Sequence, residues 1–408
     1  MRRANLTIAV HKVAATQASL PFTLLLGVLV ALTALGMDMF LPAVPVLAGA
    51  LGMEPGAAQH SVTGYLLGLA IGQLAWGPVS DRFGRKPVLL AGLALFLASS
   101  VGGALAESLR SVVLLRFAQG VGISSGPVLA RSIVRDLYAR EHAAHLLARM
   151  MAVFGIVPVA APLIGAQALA WKGWPAVFWV FAAIAVALLA AVALGLRETA
   201  PAERPSVAPG RIATSFTTLF GDARFRAALA TMLFAQMGII AFVSSSALAM
   251  VQALRLTPTA FSVLFAAVML GQIVGGYAGS RLVAHLGSAR MVRLGTMLVL
   301  VAGATLALLA YSGAAHWSAV VLPMVVYLFG SALVIPNTTA AALSPFPLMA
   351  GSASSLLGTL PFGLGALVSA ALAAAFDGTV RPMAYAIALF GACSFAAERL
   401  LFRKVVHP

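Results

Sequence analysis

Gly77-Pro-Val-Ser-Asp81-Arg82-Phe-Gly84-Arg85-Lys86-Pro87 lies between two apolar runs, Ser61 to Ser80 and Val88 to Ala106. Turn formers and charges crowd into this short stretch, and each flanking run is close to the roughly 20 apolar residues that a helix needs to cross about 30 Å of hydrocarbon. The stretch therefore reads as a tight polar loop joining two membrane helices. Working outward, the same alternation continues in both directions. Apolar runs recur at Leu20 to Leu41, Val112 to Ser132, Met151 to Ala168 and Pro175 to Leu196. A second set follows at Ala227 to Leu248, Phe261 to Ser280, Met291 to Leu309, Ala319 to Ala341, Ser352 to Phe376 and Met383 to Phe402. The expected fold is an all-α membrane protein with twelve transmembrane helices.

Composition leaves little alternative. Of the 408 residues, 61% are hydrophobic and 9% charged, against roughly 25% charged in soluble domains. A core of this size has too few charges to be wrapped in a water-facing surface. The net charge of +15 does not point to nucleic acid, because the basic residues form short clusters between apolar runs and not one patch or tail. The single cysteine, Cys393, offers neither a disulfide framework nor a Cys/His metal site. No metal or other cofactor is expected. Met1 to Gln17, with Arg2, Arg3, His11 and Lys12, reads as a retained lead-in to the first helix, since the apolar run that follows is longer than a signal-peptide core.

Lys and Arg collect in cytoplasmic loops. Here they alternate: one set of segments holds Arg2, Arg3 and Lys12; Arg82, Arg85 and Lys86; Arg131, Arg135, Arg140 and Arg149; Arg197, Arg204, Arg211, Arg224 and Arg226; Arg281, Arg290 and Arg293; and Arg399, Arg403 and Lys404. The other set holds Arg110, Lys172, Arg255 and Arg381. This pattern places both termini in the cytoplasm. The polar stretch Arg197 to Arg226, with Pro201, Pro205, Pro209 and Gly210, reads as a flexible linker. It divides the chain into an N-terminal six-helix bundle over 1–196, a linker over 197–226 and a C-terminal six-helix bundle over 227–408. Gly72-Gln73, Gly77 and Arg82 reappear as Gly271-Gln272, Gly276 and Arg281, a constant offset of 199. Such repeats place a substrate site between the halves near the bilayer midplane. Two glycine ladders, Gly64/Gly68/Gly72 and Gly271/Gly275/Gly279, each mark one helix face. They suit either close packing or a sliding surface.

The opening stretch closely resembles the loop signature of the major facilitator superfamily, Gly-x-Leu-x-Asp-Arg-x-Gly-Arg-Lys, with Val79 in place of leucine. Leu35-Gly36 followed by Pro42-Ala43-Val44-Pro45 is similar to the first-helix motif of its twelve-helix drug:proton antiporters, and Arg116 with Gln119, Gly120 and Gly122 resembles that family's intramembrane arginine motif. Met37-Asp-Met-Phe-Leu-Pro, Arg131-Ser-Ile-Val-Arg135-Asp136 and Pro336-Asn337 with Gly351-Ser-Ala-Ser are similar to the bicyclomycin and chloramphenicol resistance branch. The fifth-helix signature departs from the usual Gly-Pro-x-x-Gly-Gly, reading Ala161-Pro162-Leu-Ile-Gly165-Ala166. It keeps Pro162 and Gly165 as a kink motif.

The resemblance implies a major facilitator fold of two pseudo-symmetric bundles, with Gly77, Asp81, Arg82, Gly84, Arg85, Lys86, Arg131, Arg135 and Asp136 in a conformational latch. Ionisable groups inside a membrane are kept for a task, since each costs about 2.5 to 3.5 kcal/mol at mid-helix on insertion scales. Asp38 is the acid well inside a predicted span and is the candidate proton carrier, because burial disfavours a carboxylate's charged form and a nearby cation favours it. The other reading makes it a permanently charged helix-end residue. Arg116 keeps its charge, so it either tunes Asp38 or braces helices. Tyr65, Gln73, Gln119, Gln236, Ser244, Ser245, Gln272 and Asn337 are polar groups within spans, and all but Ser245 are taken as substrate contacts. So few of them suit a largely apolar pocket.

The expected function is proton-coupled efflux, by alternating access, of small lipophilic or amphipathic compounds such as phenicols or bicyclomycin. The rival in the same fold is a proton-coupled or uniport carrier of a small metabolite. The expected partners are a small-molecule substrate, protons and the lipid bilayer, without nucleic acid. A monomer in the bacterial inner membrane is expected. Enzyme signatures such as His-Glu-x-x-His, Gly-x-Ser-x-Gly and a phosphate-cradling Gly-Lys-Ser/Thr loop are missing, so the chain reads as no enzyme.

Overall fold

The computed structural model describes residues 19–138, 140–200, 216–346 and 349–402. Arg2, Arg3, Lys12, Arg204, Arg211, Arg403 and Lys404, both termini, and half of the 197–226 linker (201–215) lie outside the described residues. Among the described residues twelve helices are long and apolar enough to cross a membrane: α1 (Leu20–Ala50), α2 (Gly56–Phe83), α3 (Arg85–Ala104), α4 (Leu109–Leu137), α5 (Arg140–Lys172), α6 (Trp174–Gly195), α7 (Ala223–Ala253), α8 (Pro258–Leu286), α9 (Ser288–Tyr311), α10 (Ser318–Leu343), α11 (Gly351–Ala374) and α12 (Arg381–Phe402). Among the described residues all regular structure is helical. That is what hydrocarbon demands, because a helix satisfies its backbone polar groups internally.

Most helices run past the apolar segments that predict them. α2 extends beyond Ser61 to Ser80 at both ends, and α8 beyond Phe261 to Ser280. Backbone hydrogen bonding continues into the polar loops until a glycine stops it. α2 ends at Gly84 (φ 99) and α8 at Gly287 (φ 78), a backbone region open to glycine at little steric cost.

α1 to α6 form one bundle and α7 to α12 the other, and the seams between them run chiefly along α2 with α11 and α5 with α8. Side-chain hydrogen bonds join the halves at the face opposite the basic loops. Gln59 Nε2 donates to the Ser369 carbonyl at 3.2 Å, and Thr63 Oγ1 donates to Ser369 Oγ at 2.9 Å. At the same end a side chain on Gly56 would lie 2.7 Å from the Ala373 carbonyl.

The glycine ladders lie inside the bundles. Gly64 and Gly68 face the carbonyls of Val113 and Phe117 on α4, and Gly271 and Gly275 face those of Val325 and Phe329 on α10. They pack α2 on α4 and α8 on α10, which favours the packing reading over a sliding surface between halves. The repeat is also shifted from the offset of 199. The turn at Gly84 recurs at Gly287, 203 positions on, so Ala284, His285 and Ser288 stand where Asp81, Arg82 and Arg85 do. Arg281 lies one helix turn away from that register.

Candidate functional site

α1 does not run straight through. Its first segment ends at Asp38, a 3-10 turn covers Leu41–Ala43, and helix resumes at Val44–Ala50. Pro42 explains the break: proline lacks an N–H and its ring clashes with the carbonyl four residues back, which here is that of Asp38. The Phe40 N–H turns to the Met37 carbonyl at 3.2 Å, away from Gly36, its partner in a regular helix. Arg116 on α4 takes the Gly36 carbonyl, with Nη2 to oxygen at 2.9 Å. A cation placed at the C-terminal end of a helix segment also meets the favourable end of its dipole.

Arg116 is completely buried. Its Nη1 donates to Gln119 Oε1 at 2.9 Å, and Gln119 Nε2 passes the chain to Ser100 Oγ on α3 at 2.8 Å. The guanidinium carbon lies 4.3 Å from the Phe40 ring centroid and 4.2 Å from that of Tyr65, with Phe181 at 6.0 Å. Each desolvated cation–π contact is worth up to about 2 kcal/mol, and each hydrogen bond from a charged group about 1.5 to 3 kcal/mol. Together these offset the insertion cost of the charge without a carboxylate partner. Tyr65 anchors the cage by donating to the Thr33 carbonyl at 2.8 Å. Gly36 makes room for it, since a Cβ there would lie 2.5 Å from the Tyr65 hydroxyl.

Asp38 lies two residues from Gly36 and is 5% exposed. Among the described residues its carboxyl takes part in no hydrogen bond or ion pair. The break beside Asp38 is crowded from both halves: Leu41–Ala43 packs on α5 and also on α7 and α8. Gly165 of the α5 kink motif sits directly against the Met39 carbonyl, where any side chain would collide, and Pro162 lies within the same helix. The unpaired carboxyl thus sits on a bent helix at the junction of the bundles.

Residues 26–370 match the Major Facilitator Superfamily. The chain belongs to that superfamily. Relatives within it include the bicyclomycin resistance protein homolog of Haemophilus influenzae, 28% identical over 373 residues, covering 91% of this chain and 93% of the relative. Another is multidrug resistance protein D of Escherichia coli, 29% identical over 354 residues, with 86% and 89% covered. The crystal structure of a D-xylose-proton symporter shares the fold with a TM-score of 0.74 at 17% identity, covering 94% of this chain and 98% of that one. The protein is a multi-pass membrane protein of a transporter superfamily.

The superfamily loop signature forms a charge cluster within the first half. Arg85, 4% exposed, donates from Nη1 to Asp81 at 2.5 Å and to Ser80 Oγ at 2.7 Å, and from Nε to Asp136 of α4 at 2.8 Å. Arg82 stacks over the Phe83 ring at 5.3 Å. Arg131 turns back to the Pro127 carbonyl of its own helix at 2.8 Å, and Arg135 is exposed. Nothing lies within 4 Å of a side chain placed at Gly77. Of the latch candidates, the structure brings together Asp81, Arg85 and Asp136, with Gly84 and Lys86 at the turn.

The candidate substrate contacts divide. Tyr65 and Gln119 are engaged in the arginine cage and have no exposed surface in this conformation. Ser244 is buried and Asn337 Nδ2 donates to the Leu333 carbonyl of its own helix. Gln236 and Gln272 are half-buried. Gln73 crosses the seam: a side chain on Gly358 of α11 would lie 2.9 Å from its Oε1. Sequence reading missed Phe40, Phe181 and Ser100 around Arg116, and Glu198 at the turn. Phe40 stands inside the Met37-Asp-Met-Phe-Leu-Pro stretch; Glu198 shows only as one of three acids in the Arg-rich segment 197–226.

Proposed function

We propose that the chain is a proton-coupled exporter of small lipophilic or amphipathic compounds, phenicols or bicyclomycin among them, working by alternating access between its two halves. The observation that carries this reading is Asp38: a buried carboxyl without a partner among the described residues, on a helix break packed by both bundles, two residues from the Gly36 carbonyl that receives Arg116. Such a group gains and loses a proton as its surroundings change, whereas Arg116 holds its charge. Movement of the bundles alters the packing of Leu41–Ala43 against α7 and α8 and so alters what Asp38 meets. The names of the relatives support the substrate class.

In this reading both termini and the Arg-rich loops lie in the cytoplasm, the protein works as a monomer, and 1–196 and 227–408 move about the 197–226 linker. Tyr65, Gln73, Gln119, Gln236, Ser244, Gln272 and Asn337 supply orienting hydrogen bonds to a ligand held mainly by apolar burial. One proton moving inward releases about 2.3 kcal/mol per 100 mV and about 1.4 kcal/mol per pH unit, enough for a substrate gradient of tens-fold to hundreds-fold.

The test is Asp38→Asn in proteoliposomes with an imposed proton gradient. Uphill efflux of a phenicol and the accompanying internal acidification are expected to be lost together, while binding of the drug is kept. Uphill transport at the wild-type ratio in that variant would remove Asp38 from coupling and leave the uniport reading.

A further inference from the structure

The chain has 11 acidic residues, and one of them stands where the basic loop turns. α6 ends at Gly195, and Leu196 leaves the helix in an extended conformation, so the chain brings Glu198 to the α2–α3 turn. Glu198 Oε1 accepts the backbone N–H of Arg85 at 2.8 Å and those of Thr199 and Ala200 at 2.9 Å. Its Oε2 accepts the N–H of Lys86 at 3.2 Å. The first N–H groups of a helix have no partner within it, and the helix dipole favours a carboxylate there. Gly84 shapes the seat: its φ is 99°, and a Cβ would lie 2.5 Å from Glu198 Oε2. Lys86 Nζ returns the contact by donating to the Ala193 carbonyl of α6 at 2.7 Å.

The residue held by its backbone is the one whose guanidinium spans Asp81 and Asp136. We infer that Glu198 is a positioning residue of the transport cycle, fixing the backbone of Arg85 so that its side chain reaches both carboxylates. The inference rests on the transport reading for what the cycle moves, but not for how the movement is measured.

The experiment uses full-length protein with Cys393→Ser and spin labels at Leu20 and Ser288, exposed positions on the two halves at the basic face. Distances are recorded without substrate, so they remain informative if the transport reading fails. Glu198→Ala is expected to shift the population about fivefold away from the arrangement joined through Gln59, Thr63 and Ser369, the equivalent of one lost helix cap. Turnover changes by a similar factor while the KM for substrate holds, and Glu198→Gln, which keeps an acceptor oxygen without the charge, falls between. In an Arg85→Ala background the further change Glu198→Ala has no added effect. An unchanged distance distribution, or full additivity with Arg85→Ala, overturns the inference. If Glu198→Ala does not yield folded protein, Glu198→Gln is read by the same two criteria.

Discussion

The α2–α3 and α8–α9 hairpins repeat one backbone and differ in almost all of their chemistry. Both turn on a glycine at positive φ that opens the next helix, Gly84 at 99° and Gly287 at 78°. Around Gly84 stand Asp81, Arg85, Asp136 and Glu198. Around Gly287 a Cβ would meet nothing within 4 Å, and Ser288 takes the position of Arg85. An acid of the second half, Glu398, is buried on α12 but only loosely paired, with Arg293 at 3.9 Å and Arg399 at 3.6 Å. The turn geometry is therefore the common structural requirement, and the charges are an addition made in one half. An addition confined to one of two equivalent turns serves a difference between the halves, beyond what the turn itself requires.

The largest expected contrast comes from removing an arginine on each side. Arg85→Ala leaves Asp136 without its cation in a site where the carboxylate side chain is 9% exposed, and breaking such a pair costs about 3 to 5 kcal/mol. Arg290→Ala in the second hairpin removes an exposed charge, for which a change within about 0.5 kcal/mol is expected. Thermal unfolding of the two variants in the same detergent measures the contrast. Equal shifts would mean that the charge cluster is no stronger than a solvated loop.

A smaller contrast separates the glycines. Any side chain at either position carries backbone strain of about 1 to 3 kcal/mol, so Gly84→Ala and Gly287→Ala both destabilise. Gly84→Ala also drives its methyl into Glu198 and should be the worse by about 1 kcal/mol, the worth of the displaced cap. The excess should vanish when both are compared in a Glu198→Ala background. Persistence of the excess would place its cause in the turn alone.

How much of this was legible in the sequence follows from the range over which each feature acts. The helices were legible because lipid imposes a local rule, residue by residue, though Met151 to Ala168 marks only the middle of α5, which runs from Arg140 to Lys172. Hydropathy measures what suits the lipid, while helix hydrogen bonds continue until Gly84 or Gly287 interrupts them. The contact of Arg116 with Gln119 was legible because three positions along a helix share a face. Its bond to the Gly36 carbonyl was not, since that acceptor exists only after Pro42 breaks α1. The seat of Glu198 was hidden for the same reason: its partners at the α2–α3 turn, the N–H groups of Arg85 and Lys86, are more than a hundred positions away. The repeat was legible only up to one helix turn, because Arg281 matches Arg82 in composition while the glycine turn sets the true register.

The finest contrast is in acid. Partial burial by itself would raise the pKa of Glu198, but the backbone N–H bonds of Ala200, Arg85, Thr199 and Lys86 outweigh it and hold the carboxyl below the usual glutamate range. A carboxyl depressed on folding contributes stability that is fully present above its unfolded pKa and is lost as the pH falls through the folded value. The clamp should thus be intact at neutral pH and fail only below the ordinary glutamate range. Hydrogen exchange reads this directly, once rates are corrected for the intrinsic pH dependence. Protection of the Arg85 and Lys86 amides should hold through neutrality and fall in that acid window. The Ser288 amide, which opens the equivalent helix without a side-chain cap, should show no such step. A matching step at Ser288 would assign the acid response to the bilayer-facing helices in general and take it away from Glu198.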